Sequence, residues 1–100
     1  MDINVQELKT KLDNKEEFVF IDVRESYEYD EFNLGAQLIP LGEVMDKMAD
    51  LEDYKEKEVV IHCRSGKRSA MAQQLMQSAG FANVRNLEGG VLAWIAEYGQ

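Results

Sequence analysis

Residues 58–80 read EVVIHCRSGKRSAMAQQLMQSAG, and this stretch predicts a strand, a tight loop and a helix in direct succession. Val59, Val60 and Ile61 form the short β-branched run that is typical of a strand buried on both faces. After the loop, apolar residues recur at helical spacing up to the terminating Gly80; they are Met71, Ala72, Leu75, Met76 and Ala79. A buried strand that leads through a short loop into an amphipathic helix is the repeating unit of a parallel α/β sheet.

Upstream of this stretch, helical and strand patterns alternate. Asn4 followed by Glu7 predicts a capping box at the start of a first helix, which extends to about residue 12. A second buried strand is expected over residues 18–22, where aromatic and β-branched residues adjoin. Three further elements are expected: a helical turn capped by Ser26 and running to Glu31, a short strand over residues 37–39, and a helix whose apolar face is Leu41, Val44, Met45, Met48 and Leu51.

Downstream, a weaker strand is expected over residues 83–87, followed by a last amphipathic helix that contains Trp94 as a core residue. The connections are too short for the strands to return as antiparallel hairpins. The order of elements therefore predicts an α/β fold with a mostly parallel central sheet of about five short strands and helices on both faces. At 100 residues, the chain is expected to form one domain over residues 1–100.

Composition limits the partners and the compartment. With 11 basic and 19 acidic residues the net charge is -8, which argues against a nucleic-acid surface. One cysteine cannot form an internal disulfide, and no Cys/His cluster has zinc spacing, so we expect no metal or cofactor. The N-terminus lacks the pattern of a signal peptide, and no apolar stretch reaches the length of a membrane span. We therefore expect a cytoplasmic protein without a membrane partner, where a single thiol stays reduced.

The only cysteine begins the loop Cys63-Arg64-Ser65-Gly66-Lys67-Arg68-Ser69, at the carboxyl end of a predicted strand, where parallel sheets bind ligands. Gly66 permits tight curvature, so the backbone N–H groups of residues 64–69 are expected to form an anion-binding nest. The three cations of this loop and the following helix N-terminus are expected to lower the pKa of the thiol. Cys63 is thus the candidate nucleophile, and a purely structural cysteine is the competing interpretation.

Two other loop chemistries can be tested by counting positions. A glycine-rich ATP loop needs glycine five residues before Gly66 and Ser or Thr after the lysine, but Ile61 and Arg68 stand there. A cysteine phosphatase similar to the tyrosine-phosphatase family needs the pattern C-x5-R, whereas Arg68 makes C-x4-R and Ser69 occupies the sixth position. A phosphatase or arsenate reductase on this scaffold is therefore the less favoured alternative.

Five motifs in sequence order resemble the single-domain rhodanese (thiosulfate sulfurtransferase-like) family. They are Asp22-Val23-Arg24-Glu25, Glu28-Tyr29, Gly35-Ala36 with Ile39-Pro40, the loop Cys63 to Ser69, and Gly89-Gly90-Val91-Leu92-Ala93-Trp94. The resemblance extends from about Ile3 to Tyr98. The family pattern has a Gly-His pair and one more residue after Glu28-Tyr29, so the shorter segment Asp30 to Gly35 is expected to change the local loop.

The resemblance implies a sulfur-transfer cycle. The Cys63 thiolate attacks a small sulfur-containing anion such as thiosulfate, keeps one sulfur as a persulfide, and yields it to cyanide or a thiol. A thiol-bearing or thioredoxin-like protein is a further implied acceptor. In this interpretation Cys63 is catalytic, the anion cradle is Arg64, Ser65, Gly66, Lys67, Arg68 and Ser69, and the structural support is Asp22, Arg24 and Glu25. A second hypothesis is a sulfur carrier or partner-binding module with negligible turnover on small donors.

His62 adjoins Cys63 and suggests a Cys-His pair. Consecutive residues at a strand end point to opposite sides of the sheet. A packing or surface role for His62 is therefore expected rather than a catalytic one.

Overall fold

The computed structural model describes residues 1–100. The helices are α1 (Val5–Asp13), α2 (Ser26–Glu31), α3 (Val44–Lys47), α4 (Lys67–Ser78) and α5 (Gly90–Tyr98). The strands are β1 (Val19–Asp22), β2 (Gln37–Leu38), β3 (Glu58–His62) and β4 (Asn83–Asn86). Two 3-10 segments, Leu41–Glu43 and Ala49–Tyr54, flank α3.

The four strands form one sheet in the order β2-β1-β3-β4, and every neighbouring pair is parallel. In the register of the sheet, Ile61 in β3 lies opposite Ile21 in β1 and Asn86 in β4. The sheet has four strands, one fewer than the expected count of about five, and Ile3 adds only an isolated parallel bridge to Leu87. The chain turns into α1 directly after Asn4, so the extended segment there ends before it becomes a strand.

Helices cover both faces of the sheet, as predicted. The cluster on one face joins Val59 and Ile61 to α3 and α4 through Val44, Ala72 and Met76. The cluster on the other face joins Val60 to α1 and α5 through Leu8, Ala93 and Trp94. Alternate β3 side chains therefore enter opposite cores, which is why the whole strand is apolar.

Both predicted N-caps need correction in detail. The Asn4 side chain accepts a hydrogen bond from the Glu7 backbone N at 2.8 Å, but the Glu7 carboxylate pairs with Arg85 at 2.9 Å instead of completing a capping box. In α2 the N-cap is Glu25 and not Ser26, because the Glu28 carboxylate accepts from the Glu25 backbone N at 3.0 Å. Glutamate at this position places negative charge at the positive end of the helix.

The prediction of a single helix between Leu41 and Leu51 is wrong. The segment is divided into two 3-10 pieces around one short α-helix, and bonds such as Leu51 N to Met48 O have 3-10 spacing. Only Val44 and Leu51 of the expected apolar face are buried, whereas Met45 is 63% exposed. The two buried side chains, Val44 and Leu51, are seven residues apart and hold this segment on the sheet. The segment therefore does not need a continuous apolar stripe.

In α4 the buried stripe is Ser69, Ala72 and Met76, while Met71 is exposed. A buried serine in the first turn of this helix points to the Cys63 loop. α4 is 12 residues long, and no helix has the length and apolar character needed to cross a membrane.

Candidate active site

Cys63 is the first residue after β3 and is 1% exposed. Its carbonyl oxygen accepts a hydrogen bond from Val91 N at 3.0 Å, and the carbonyl of Arg64 accepts from Leu92 N at the same distance. The N-terminal turn of α5 therefore holds the backbone at the start of the loop.

This contact depends on Gly90, whose role the sequence analysis missed. A Cβ atom at Gly90 would lie 2.6 Å from the carbonyl oxygens of both Cys63 and Arg64, and Gly90 has φ of +58°. Only glycine allows so close an approach of two backbones in this conformation. The Gly-Gly pair in the sequence indicated an unusual backbone position. Its partner could not be predicted, because Cys63 lies 27 positions before Gly90 in the chain.

The loop surrounds the Cys63 sulfur with hydrogen-bond donors. Sγ accepts from Gly66 N at 3.1 Å, from Ser69 N at 3.4 Å and from Ser69 Oγ at 3.4 Å. Gly66 has φ of +103°, and this left-handed turn directs its N–H back to the sulfur. Such a set of inward-pointing donors stabilises a negative charge on sulfur.

The pKa of Cys63 lies below its ordinary value. Burial by itself raises the pKa of the thiol, but hydrogen bonds from Ser69 and from the backbone of Gly66 and Ser65 outweigh burial. The sequence predicts this lowering from the cations of the loop and from the helix N-terminus. In the folded protein the hydrogen bonds lower the pKa, two of them come from backbone N–H groups at the N-terminus of α4, and the charge of Arg68 also interacts with Cys63.

The three cations of the loop differ in whether they form an ion pair. Arg68 donates two hydrogen bonds to the Glu28 carboxylate, at 2.7 and 2.9 Å, which neutralises its charge. Arg64 and Lys67 are exposed and take part in none of the ion pairs within the chain. The groups that the loop leaves available to an anion are therefore its backbone donors and these two free cations. Glu28 was used only as a motif residue in the sequence analysis, and its partnership with Arg68 was missed.

Asn86, at the end of β4, is a second residue that the sequence analysis missed. Its Oδ1 accepts a hydrogen bond from Ser69 Oγ at 2.6 Å, and its Nδ2 donates to Gly66 O at 3.1 Å. Asn86 thus connects the two residues that donate to the sulfur. The sequence could have indicated Asn86, because it ends a predicted strand and the carboxyl ends of adjacent parallel strands meet at one edge of the sheet.

Asp22, Arg24 and Glu25 lie at the same edge without hydrogen bonds to Cys63. The buried Arg24 guanidinium binds both carboxylate oxygens of Asp22 and donates to Phe32 O at 2.7 Å. This pair fixes the chain that leaves α2, and Glu25 caps the same helix. The three residues are placed to support the site through α2.

The shortened segment between Asp30 and Gly35 closes on itself. Gly35 N donates to Asn33 Oδ1 at 2.9 Å, and Tyr29 Oη donates to Ala36 O at 2.7 Å. These bonds hold the short segment together in place of a longer loop. The chain then continues directly into β2.

His62 packs away from the sulfur. Its ring is fully buried and lies 5.4 Å from the Phe20 ring, on the face opposite to the core of Cys63. Burial lowers the pKa of His62, opposed by the carboxylate of Asp22, whose Oδ2 lies 3.6 Å from Nε2. His62 therefore packs in the core and does not pair with the sulfur of Cys63. No cluster of three or more His, Cys, Asp or Glu side chains is arranged to hold a metal ion.

Comparison with known proteins agrees with this geometry. The family model described as the rhodanese-like domain matches residues 4–97. YtwF of Bacillus subtilis, which carries the name of a sulfurtransferase, is 39% identical over 97 residues, which cover 96% of this chain and 91% of that protein. YrkF of the same organism, which carries the name of a sulfur carrier protein, is 37% identical over 94 residues, but these span only 50% of its length. The human single-domain sulfurtransferase TSTD1 has a TM-score of 0.84 at 28% identity and covers 96% of both chains.

Proposed function

This chain belongs to the rhodanese-like domain family, and from that premise we propose that it is a sulfurtransferase that carries sulfane sulfur as a persulfide on Cys63. The observation that carries the proposal is the set of three hydrogen bonds to Sγ from Gly66 and Ser69. These donors stabilise the thiolate that attacks.

The loading step with thiosulfate is a displacement at sulfur. The Cys63 thiolate attacks the outer sulfur of thiosulfate, a new S–S bond forms at Sγ, and the S–S bond of the donor breaks. Sulfite leaves with the electron pair. Arg64 and Lys67, the free cations of the loop, attract the dianion and hold it during the attack.

The discharge step regenerates the thiolate. Cyanide or a thiolate attacks the outer sulfur of the persulfide, the bond to Sγ breaks, and its electron pair returns to Sγ as the thiolate. The regenerated thiolate on Sγ again accepts the hydrogen bonds of Gly66 and Ser69. A thiol that must be reduced to react suits the cytoplasm, which is the compartment we propose.

The experiment is intact-mass measurement after incubation with thiosulfate, for the wild type and for Cys63→Ser. We expect the wild type to gain one sulfur, about 32 Da by atomic mass, and to lose it on addition of cyanide with release of thiocyanate. Cys63→Ser is expected to gain nothing. Absence of loading from thiosulfate and from inorganic polysulfide, in a protein whose Cys63 alkylates readily, would overturn the proposal.

A sulfur carrier that serves a protein partner is the second candidate. One observation favours it: the chain is similar to the sulfur carrier YrkF over half of that protein. This candidate predicts that the loaded persulfide discharges slowly into cyanide and rapidly into a reduced thioredoxin-like protein. Comparison of the two discharge rates on the same loaded sample separates the candidates.

A further inference from the structure

The sheet leaves half of one strand without a neighbour. β2 has two residues, and it pairs with β1 only at Ile21 and Asp22. The first two residues of β1, Val19 and Phe20, pair with β3 on one side and with no strand on the other. β1 is therefore the edge of the sheet over its amino half, and an open edge of this kind is a template for a further strand.

Backbone groups of alternate residues face this open edge. Asp22 O accepts a hydrogen bond from Ile39 N, just beyond β2, at 2.8 Å. Residues two apart in a strand direct their N–H and C=O groups to the same side. Phe20 and Phe18 therefore face the same side as Asp22, and the backbone of Phe18 forms no hydrogen bond within the chain. These groups are available to the backbone of an added segment.

A groove of about 590 Å³ lies along the same edge. It is lined by the edge residues Phe18, Val19 and Phe20, by Gln37 at the start of β2, and by Tyr54, which is 38% exposed. A row of backbone donors and acceptors beside an exposed aromatic ring suits an extended segment that contains an apolar residue.

The charges of the groove select among such segments. Glu17 and Glu56 line it, are exposed and take part in none of the ion pairs within the chain, whereas Glu58 is already paired with Lys11. Lys57 is the one cation of the lining, in a chain of net charge -8. Basic side chains on an incoming segment therefore complement the groove, and a second copy of this acidic chain does not.

We propose that the open edge of β1 binds an extended basic segment of a partner protein by strand addition. The N–H groups of Phe18 and Phe20 donate to backbone carbonyls of the segment, and the C=O of Phe18 accepts from one of its N–H groups. An apolar residue of the segment lies against Tyr54. Lysine or arginine residues on either side of it pair with Glu17 and Glu56.

The groove and the reactive cysteine occupy opposite ends of the sheet. Val19 lies opposite Val59 near the start of β3, whereas Cys63 follows the last residue of β3. A partner held in the groove leaves the Cys63 loop uncovered. The interaction surface is therefore separate from the proposed sulfur transfer and does not depend on it.

The probe is the peptide KKVTVKK with acetylated and amidated ends, titrated into the full chain and followed by NMR. At nine-tenths saturation, exchange of the Phe20 amide with water is expected to slow about tenfold, because only the unbound tenth exchanges. The Ile21 amide, which faces β3, is the internal control and is expected to keep its rate. The acidic peptide EEVTVEE, and KKVTVKK with its three central amides N-methylated, are each expected to bind roughly tenfold more weakly or worse.

Charge variants give a second readout with opposite signs. Glu17→Gln and Glu56→Gln are each expected to weaken the binding of KKVTVKK about two- to fivefold, and Lys57→Gln is expected to strengthen it by a similar factor. Glu43→Gln, an exposed acid outside the groove, is the matched control and is expected to leave the affinity unchanged.

Three outcomes would overturn the proposal. The first is equal binding of the basic, acidic and N-methylated peptides, and the second is an unprotected Phe20 amide at saturation. The third is protection of Phe20 that rises with protein concentration without peptide, which would assign the edge to a second copy of this chain. Sulfur loading on Cys63 is measured separately and is unaffected by each of these results.

Discussion

The guanidinium of Arg68 donates two hydrogen bonds to the carboxylate of Glu28, at 2.7 and 2.9 Å, and this ion pair joins the Cys63 loop to α2. It withdraws one of three loop cations from anion binding. It also holds α2 at a fixed position relative to the Cys63 loop.

Replacement of Glu28 by Gln is expected to remove a pH-dependent part of the stability. Arg68 lowers the pKa of Glu28 from 4.5 to about 2. Because the folded carboxyl has the lower pKa, the pair stabilises the fold above about pH 4.5, and this contribution is lost as the pH falls toward 2. We expect Glu28→Gln to cost about 1–2 kcal/mol in urea unfolding at pH 7, since solvent screens the partly exposed Arg68.

The difference between wild type and Glu28→Gln should be nearly unchanged at pH 4.5 and should shrink when the same unfolding is measured at pH 3. Glu56→Gln, which removes an exposed acid, is the control and should show a difference near zero throughout. A Glu28→Gln difference that stays constant over this pH range would contradict the ion-pair explanation.

Gly90→Ala is expected to destabilise the protein by about 2–4 kcal/mol and to abolish persulfide loading. The new Cβ would lie 2.6 Å from the carbonyl oxygens of Cys63 and Arg64, at a backbone φ of +58°. Thermal unfolding and intact mass after thiosulfate measure the two effects. Gly42→Ala is the matched control, because a Cβ there meets no atom within 4 Å and its φ is not positive. Equal stability of the two variants would show that the α5 contact is not needed.

Ser69→Ala is expected to raise the pKa of Cys63, because the sulfur loses one of its three donors. Alkylation by iodoacetamide at pH 7 should slow about fivefold, the factor equivalent to one hydrogen bond of roughly 1 kcal/mol. The midpoint of the rate against pH should move upward. Ser78→Ala, at the exposed end of α4, is the control, and a Ser69→Ala midpoint identical to that of Ser78→Ala would refute the role of the hydroxyl.

Asn86→Ala is expected to move the same midpoint downward. The Ser69 hydroxyl has one proton and two acceptors, Asn86 Oδ1 at 2.6 Å and Cys63 Sγ at 3.4 Å, so removal of the amide frees that proton for the sulfur. The carbonyl of Gly66 loses its donor at the same time, which should cost about 1–2 kcal/mol in stability. A midpoint that rises, as in Ser69→Ala, would mean that Asn86 acts only by holding the loop.

Much of the fold followed from local patterns. The runs at residues 18–22 and 58–62 are apolar enough for only one interpretation, strands covered on both faces, and the structure confirms both of them. The position of Cys63 at the end of β3 and the parallel alternation of strands with helices follow from the same runs. Periodicity also predicted α4 and α5, because each presents several apolar residues at helical spacing.

The errors lie where local signals are weak. The expected count of about five strands is one too high, because Ile3 adds a single bridge to the sheet and no strand. Between Leu41 and Leu51 the apolar spacing fits a helix, yet only Val44 and Leu51 are buried and Leu41 and Met48 pack against the core only in part, so the backbone tightens into 3-10 turns.

The sequence by itself determined the parallel α/β sheet, the family pattern and the location of the only cysteine at a strand end, because these depend on hydrogen-bonding periods and motifs that span a few residues. Tertiary structure alone decided the partners of the loop: Glu28 for Arg68, Asn86 for Ser69, and Gly90 for the carbonyl of Cys63. Each pair is separated by at least 17 residues, and 19 acids compete for any cation. Only the close approach of α2, β4 and α5 at one edge of the sheet selects among them, since hydrogen bonds and ion pairs act over a few ångströms in space and not along the chain.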